Sequence, residues 1–219
     1  MTTVDPSTRI RPAGDRAMLI TLGDSAPVHR LALALRNNAI AGVQDVLPAA
    51  ETVLVTLHSV RYAPQVRREL VALLARLDAD AQFDVDVSRG TAQIDIPVTY
   101  DGEDLGAVAD HLGITPAQVV AEHTSTVWTC AFIGFAPGFA YLASPDGRLT
   151  VPRRSQARTV IPPGAVALAA GFSAVYPRAT PGGWQLIGHT DVRMWEVDRD
   201  PPALVRPGTG VRFVDVNGE

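Results

Sequence analysis

Three stretches of this 219-residue chain concentrate side chains that could do chemistry. In Phe135-Ala136-Pro137-Gly138-Phe139-Ala140-Tyr141, two glycines (Gly134 and Gly138), a proline and three aromatics directly follow the apolar run Val127 to Ile133. Glycine lets a backbone approach a ligand, and its N–H groups can point into a cavity instead of a ladder. The stretch reads either as a loop walling a small-molecule site or as an aromatic turn packed on the fold. The second stretch, Val151 to Thr159, carries Arg153, Arg154 and Arg158. Three guanidiniums so close together suit a carboxylate or phosphate held by paired, charge-assisted hydrogen bonds. The alternative is a solvated loop whose surface ion pairs contribute about 0–1 kcal/mol each. The third combines Tyr176-Pro177 with Thr180-Pro181-Gly182-Gly183-Trp184-Gln185-Leu186-Ile187-Gly188-His189-Thr190. Its Pro-Gly-Gly-Trp turn hands an indole to the start of a strand, where the ring can stack on a ligand or cap the core.

The five histidines are His29, His58, His111, His123 and His189. None belongs to a His-Glu-x-x-His or Cys/His pattern, so no metal site is expected. His123 falls at the C-terminus of an expected helix, where the macrodipole favours a proton. Beside Glu122, Thr124 and Ser125 it is a candidate acid or base, with a structural role as the alternative. His189, in the glycine-rich turn, is read the same way.

All 19 basic residues are arginine and lysine is absent. That excludes a Schiff-base lysine, a P-loop or kinase lysine, and a lysine-borne biotin or lipoyl group. Any bound anion must be held by arginine, backbone N–H groups, hydroxyls or a helix N-terminus. Neither a Gly-x-Ser-x-Gly elbow nor a Gly-x-Gly-x-x-Gly loop occurs. A net charge of −4 speaks against nucleic-acid binding. The single Cys130 cannot form an internal disulfide, and its apolar surroundings suit a small buried hydrophobe. No run of 18 uncharged apolar residues occurs and Met1 to Asp15 has no apolar signal region, so a cytoplasmic protein without a membrane segment is expected.

These groups need a scaffold, and a composition of 47% hydrophobic and 19% charged residues provides for a packed core. Ala17 to Leu22 predicts a strand, and Val28, Leu31 and Leu35 a helix ending at Asn37-Asn38. Strands follow over Val43 to Pro48 and Thr52 to Leu57. A second helix opens at Pro64, with Val66, Leu70, Leu73 or Leu74, and Leu77 on one face. A last strand is expected over Gln82 to Val87, with a boundary at Asp86 to Gly90. That order is ferredoxin-like α/β. Gln93 to Val98 alternates like a half-buried strand. Helices follow over Leu105 to Leu112, stopped by Gly113, and from Thr115-Pro116-Ala117-Gln118 to about His123, with the signature of a capping box. Eleven of 18 glycines and ten of 17 prolines lie beyond residue 133. Short apolar runs separate them: Thr126 to Gly134, Val160 to Ile161, Ala165 to Ala169, Ala174 to Tyr176, Gln185 to Ile187, Val192 to Trp195 and Val211 to Val216. Many short strands between turns predict a barrel or compact sandwich.

Five motifs taken together carry a family resemblance. They are Arg11-Pro12-Ala13-Gly14-Asp15-Arg16-Ala17, Ile133-Gly134-Phe135-Ala136-Pro137-Gly138-Phe139-Ala140-Tyr141-Leu142, Val151-Pro152-Arg153-Arg154, Tyr176-Pro177 and Pro181-Gly182-Gly183-Trp184-Gln185-Leu186-Ile187-Gly188. The chain resembles, over essentially its whole length, the family of the 5-oxoprolinase B-type subunit, also called allophanate hydrolase subunit 1 or Kip-inhibitor-like carboxyltransferase domain. The resemblance implies an α+β chain: an N-terminal ferredoxin-like α/β domain over residues 1–90, then a cyclophilin-like β-barrel domain over residues 91–219. It implies a hydrolase component acting with a homologous C-like subunit and a third subunit to open 5-oxoproline to glutamate. ATP with Mg would be used at the level of the complex, with no covalent cofactor on this chain. The alternative it carries is a regulator that binds a sensor histidine kinase. The allophanate name cannot be literal, since an amidase of that kind needs a Ser-Ser-Lys arrangement. Carried onto this sequence, the resemblance makes Phe135, Pro137, Gly138 and Phe139 one wall of a site for a small anionic substrate. Tyr176, Gly183, Trp184 and His189 complete the substrate contacts; Arg153 and Arg158 hold the anion, and His123 serves as acid or base. Phe172 and His189 depart from the family pattern, which has glutamine and a basic side chain there.

Overall fold

The computed structural model describes residues 6–23, 25–79, 93–144 and 146–218. The chain divides into two compact units, Met1–Val87 and Ser88–Glu219. The expected strand Gln82 to Val87 and boundary Asp86 to Gly90 lie outside the described residues.

In the first unit, strands β1 (Ile10–Pro12), β2 (Ala17–Thr21), β3 (Val43–Pro48) and β4 (Thr52–Leu57) form an antiparallel sheet in the order β1-β2-β4-β3. Helices α1 (Ser25–Asn37) and α2 (Ala63–Ala79) supply the other half of the core. Met18 and Ile20 of β2 and Val53, Val55 and Leu57 of β4 alternate into it. They meet Val28, Leu31 and Leu35 from α1, and Val66, Leu70, Leu74 and Leu77 from α2, each set at the i, i+3/i+4 spacing of one helical face. Strand β1 is not foreseen by the sequence reading. It takes the edge beside β2 that a ferredoxin-like unit gives to its last strand. Arg67 helps to hold this segment by donating to the carbonyls of Ile10 and Ser7 at 2.9 and 3.0 Å.

The second unit is a seven-stranded sheet in the order β12-β9-β10-β7-β6-β13-β5. Its strands are β5 (Gln93–Val98), β6 (Val127–Ile133), β7 (Ala140–Ala143), β9 (Ala165–Ala169), β10 (Phe172–Val175), β12 (Gln185–His189) and β13 (Gly210–Asp215). Only β13 and β5 run parallel. The outer strands turn towards each other until Thr99 and His189 exchange two backbone hydrogen bonds of 2.9 Å, so the sheet is a nearly closed barrel. Gly188 makes that seam possible: a Cβ there would lie 3.1 Å from the Tyr100 Cα and nearer still to the Thr99 carbonyl. Helix α3 (Leu105–Leu112) stops at Gly113, whose φ of +68° is a left-handed C-cap. Helix α4 (Pro116–Ser125) starts with the expected capping box, Thr115 and Gln118 bonding each other's backbone N–H. Val108, Ala109 and Val119 of these helices pack with Ile96, Val98, Trp128, Leu142, Val166, Leu168, Val175, Ile187 and Phe213.

Strand β9 is buried along its whole length, yet its residues divide by parity. Val166 and Leu168 join that helix-covered core, whereas Ala165, Ala167 and Ala169 face a second cluster with Ala174, Tyr176, Trp184 and Phe139. A two-stranded ribbon of β8 (Arg158–Ile161) and β11 (Thr180–Gly182) adds Ile161 to this second cluster. Two expectations are corrected here. Residues 140–143 and 180–182 are strands β7 and β11, where the sequence suggested loop and turn. Val192 to Trp195 is not a strand; Trp195 makes one isolated bridge with Ala203. Among the described residues no helix is long and apolar enough to cross a membrane.

Candidate functional site

The second cluster is where most of the chemistry-bearing motifs converge. Parity in β10 sends Phe172 and Ala174 to this face, and the chain continues with Tyr176 on the same side. Small alanines on β9 leave room for large rings beside them. Phe139 lies 5.1 Å from Tyr141, 5.1 Å from Tyr176 and 5.5 Å from Trp184 between ring centres, all edge-to-face. Tyr141 adds Trp184 at 5.6 Å, Phe172 at 5.7 Å and a stacked Phe132 at 4.2 Å. The result is a continuous aromatic platform. Burial raises the Tyr176 phenol to about 12 despite the opposing charge of Arg153, and burial likewise raises Tyr141, again eased by Arg153. Both phenols are therefore neutral hydrogen-bonding groups near neutral pH, and the Arg153 charge is felt by both.

The loop between β6 and β7 forms the rim of this platform. Ala136 N–H donates to the Gly134 carbonyl at 2.8 Å, closing a three-residue turn around Phe135 at φ +69°. For a bulky side chain that backbone is strained, at a cost of about 1–3 kcal/mol. The turn leaves Phe135 59% exposed while its ring still meets Phe139 edge-on at 5.2 Å. Gly138, at φ +79°, lets the loop close on Trp195, whose Cβ would be 2.7 Å from an added Cβ. Phe135, Pro137 and Gly138 line a cavity of about 410 Å³ with Trp195.

The three arginines have separate fates. Asp104, 3% exposed, accepts from both terminal nitrogens of Arg158 at 2.9 Å and from Arg154. It also accepts from the Leu186 N–H at 2.7 Å. Burial alone would raise this carboxyl; the Arg158 hydrogen bonds, the Leu186 N–H and the two guanidinium charges outweigh it and hold it below its ordinary value. Glu103 takes the remaining face of Arg158 at 2.9 Å. Gly183 ties down the same segment, its carbonyl accepting from Arg154 N–H at 2.8 Å. Arg153 is exposed and, among the described residues, pairs with no carboxylate.

Phe135, Phe139, Tyr176 and Trp184 are thus brought together, with Arg153 beside them and Pro137, Gly138 and Gly183 shaping the rim. Three other expected site residues lie elsewhere. Arg158 is occupied by Asp104 and Glu103. His123 is fully buried in the helix-covered core, stacked on Phe213 at 4.3 Å, with Nδ1 2.7 Å from the Tyr100 hydroxyl and Nε2 2.9 Å from Ser173 Oγ. Burial lowers it to about 3, so it is neutral and enclosed. His189 sits at the barrel seam, bonded to Asp101 at 2.8 Å, and lines a separate cavity of about 340 Å³ with Thr99, Thr190 and Asp191. Among the described residues no group of three or more His, Cys, Asp or Glu is placed to hold a metal ion. The sequence reading missed Tyr141 and Phe172 as platform rings and Asp104 as the partner of two arginines. Period-two alternation through β7 and β10 was the available signal for the rings.

Residues 8–205 match the carboxyltransferase domain, subdomain C and D. The chain belongs to that family. Among related carboxyltransferase-domain proteins, the 5-oxoprolinase B-type subunit of Escherichia coli O157:H7 is 48% identical over 124 residues, 55% of this chain and 57% of that protein. The protein of the same name from Bacillus subtilis (strain 168) is 33% identical over 229 residues, 95% of this chain and 93% of its own length. The match to the Escherichia coli protein therefore spans little more than half of it. The crystal structure of Kluyveromyces lactis urea amidolyase shares the fold, with a TM-score of 0.69 at 17% identity over 94% of this chain and 15% of that one.

Proposed function

We propose that this carboxyltransferase-domain chain is a cytoplasmic subunit of an ATP-dependent 5-oxoprolinase or a related lactam- or amide-processing complex, acting with a homologous C-like subunit and a third subunit. The observation that carries the reading is the unpaired Arg153 guanidinium beside the aromatic platform. A small cyclic amide acid needs a cation for its carboxylate and a flat apolar surface for its ring. Arg153 supplies the first, and Tyr141, Phe172 and Trp184 the second. Backbone N–H groups of the Gly134 to Gly138 turn stand at the rim, where they can oppose negative charge developing on the amide oxygen. The strain stored at Phe135 fits a loop shaped for a ligand, because packing alone gives no reason to hold an exposed ring in that backbone.

ATP does not fit the arginine segment of this chain. A triphosphate calls for several free cations, whereas Arg154 and Arg158 are already neutralised by Asp104 and Glu103. ATP with Mg is therefore assigned to the assembled complex, and no step on this chain runs through it. The test is reconstitution of the chain with its paired subunits, ATP and 5-oxoproline, followed by glutamate release. Turnover that Arg153→Ala reduces supports the reading. No turnover from the complete complex, with tight binding of a sensor histidine kinase domain, would overturn it in favour of a regulator.

A further inference from the structure

Three guanidiniums crowd the segment 153–158, yet the platform meets the charge of only one. Asp104 causes this. It comes from the residue just before α3, fifty positions upstream of Arg154, and is fixed from both sides: its N–H donates to the Leu186 carbonyl at 2.9 Å and its carboxylate accepts from the Leu186 N–H at 2.7 Å. So anchored, it binds Arg154 and both terminal nitrogens of Arg158, while Glu103 binds Arg158 from outside. Three positive charges against two carboxylates leave one net positive charge. That matches a single carboxylate and disfavours a phosphate ester or polyphosphate, which would have to draw a second guanidinium away from a buried partner.

We infer that Asp104 is a specificity-determining residue which, by sequestering Arg154 and Arg158, restricts the rim to monoanionic ligands. It positions the segment and need not touch the ligand. The inference rests on the reading of Arg153 as the anion holder, and adds which anions are refused. A purely structural Asp104 would affect stability without altering the order of preference among anions.

The test uses the purified full-length chain titrated with sodium acetate and with sodium sulfate, following the arginine Nε–Hε resonances by NMR. Acetate is expected to shift Arg153, with Arg154 and Arg158 unmoved. Asp104→Asn keeps an acceptor for the Leu186 N–H and removes the charge. It should raise sulfate affinity relative to acetate by about tenfold, with Arg154 and Arg158 joining the response. Glu103 is 78% exposed, so Glu103→Gln should fold whether or not the Asp104 variant does, and should raise the same ratio by about threefold. A folded Asp104→Asn chain, or the Glu103→Gln chain if the first does not fold, with the parent's sulfate-to-acetate ratio and a normal acetate shift at Arg153 overturns the inference alone. No acetate shift at Arg153 in the parent chain overturns the underlying reading and the inference with it.

Discussion

Between pH 7 and pH 5 the second unit should lose about 2 kcal/mol of stability through one buried ring. His123 is fully buried, with a hydroxyl on each nitrogen: Tyr100 at Nδ1 and Ser173 at Nε2. A neutral imidazole has one donor and one acceptor nitrogen; adding a proton would make both donors and place a charge in an apolar core. Burial accordingly lowers the folded-state value to about 3, from an ordinary 6.5. The unfolded chain takes up a proton as the pH falls through 6.5, whereas the folded chain does not until about 3. Stability from this group is therefore complete above pH 6.5 and drains as the pH falls towards 3. Each unit corresponds to about 1.4 kcal/mol, which gives about 2 kcal/mol at pH 5 and a limit of roughly 5 kcal/mol in strong acid. The assay is urea unfolding followed by tryptophan fluorescence, since Trp128, Trp184 and Trp195 all lie in the second unit. His123→Gln retains a donor and an acceptor but does not titrate. With a urea slope of about 2 kcal/mol/M, the parent's midpoint should fall by about 1 M more than the variant's between pH 7 and pH 5. Other histidines contribute equally to both chains and cancel. Equal falls would refute the enclosed, neutral His123.

Three substitutions probe the rim and the seam. Arg153→Ala should raise the KM of the reconstituted complex for 5-oxoproline about tenfold or more, with the urea midpoint unchanged, because the side chain is exposed and unpaired; an unchanged KM removes it from the site. Phe135→Gly should cost no net stability, since release of about 1–3 kcal/mol of backbone strain offsets a ring contact of about 0.5–1.5 kcal/mol. Urea unfolding that shows a loss above about 2 kcal/mol would mean the turn is not strained. Gly188→Ala should cost about 1–3 kcal/mol or more by driving a methyl into the Thr99 carbonyl, and hydrogen exchange should report lost protection at the Thr99 and His189 amides.

Local signals in this chain were legible and long-range pairings were not. The helices of the second unit could be read because their stop and start signals are contiguous: Gly113 in one case, Thr115 with Gln118 in the other. The helices of the first unit showed in their leucine spacing. Strand β1 escaped because three residues ending in a proline have no period to detect; partners in β2 make it a strand. The site followed the same divide. Its glycines and aromatics announced the rim, whereas the roles of the three arginines depended on Asp104, some fifty residues away. His123 misled for a related reason. Its place at a helix end suggested a favoured proton, but the sheet and Trp128 close over it, and burial outweighs the dipole.

Strand β10 shows why core and platform are specified together. Phe172 and Ala174 face the platform, while Ser173 and Val175 face the helix-covered core. Ser173 bonds His123, His123 bonds Tyr100, and Tyr100 follows the Thr99 that closes the seam. A line of polar groups thus runs through the barrel interior from the seam to the strand that carries the platform. A slip of β10 by one residue would leave His123 with an unpaired nitrogen and drive the Phe172 ring into the space of a serine. It would also turn Ser173 towards the aromatic rings. Each of those changes costs more than a single hydrogen bond returns. The buried histidine therefore serves the site without touching it, by fixing which residues of β10 the platform receives.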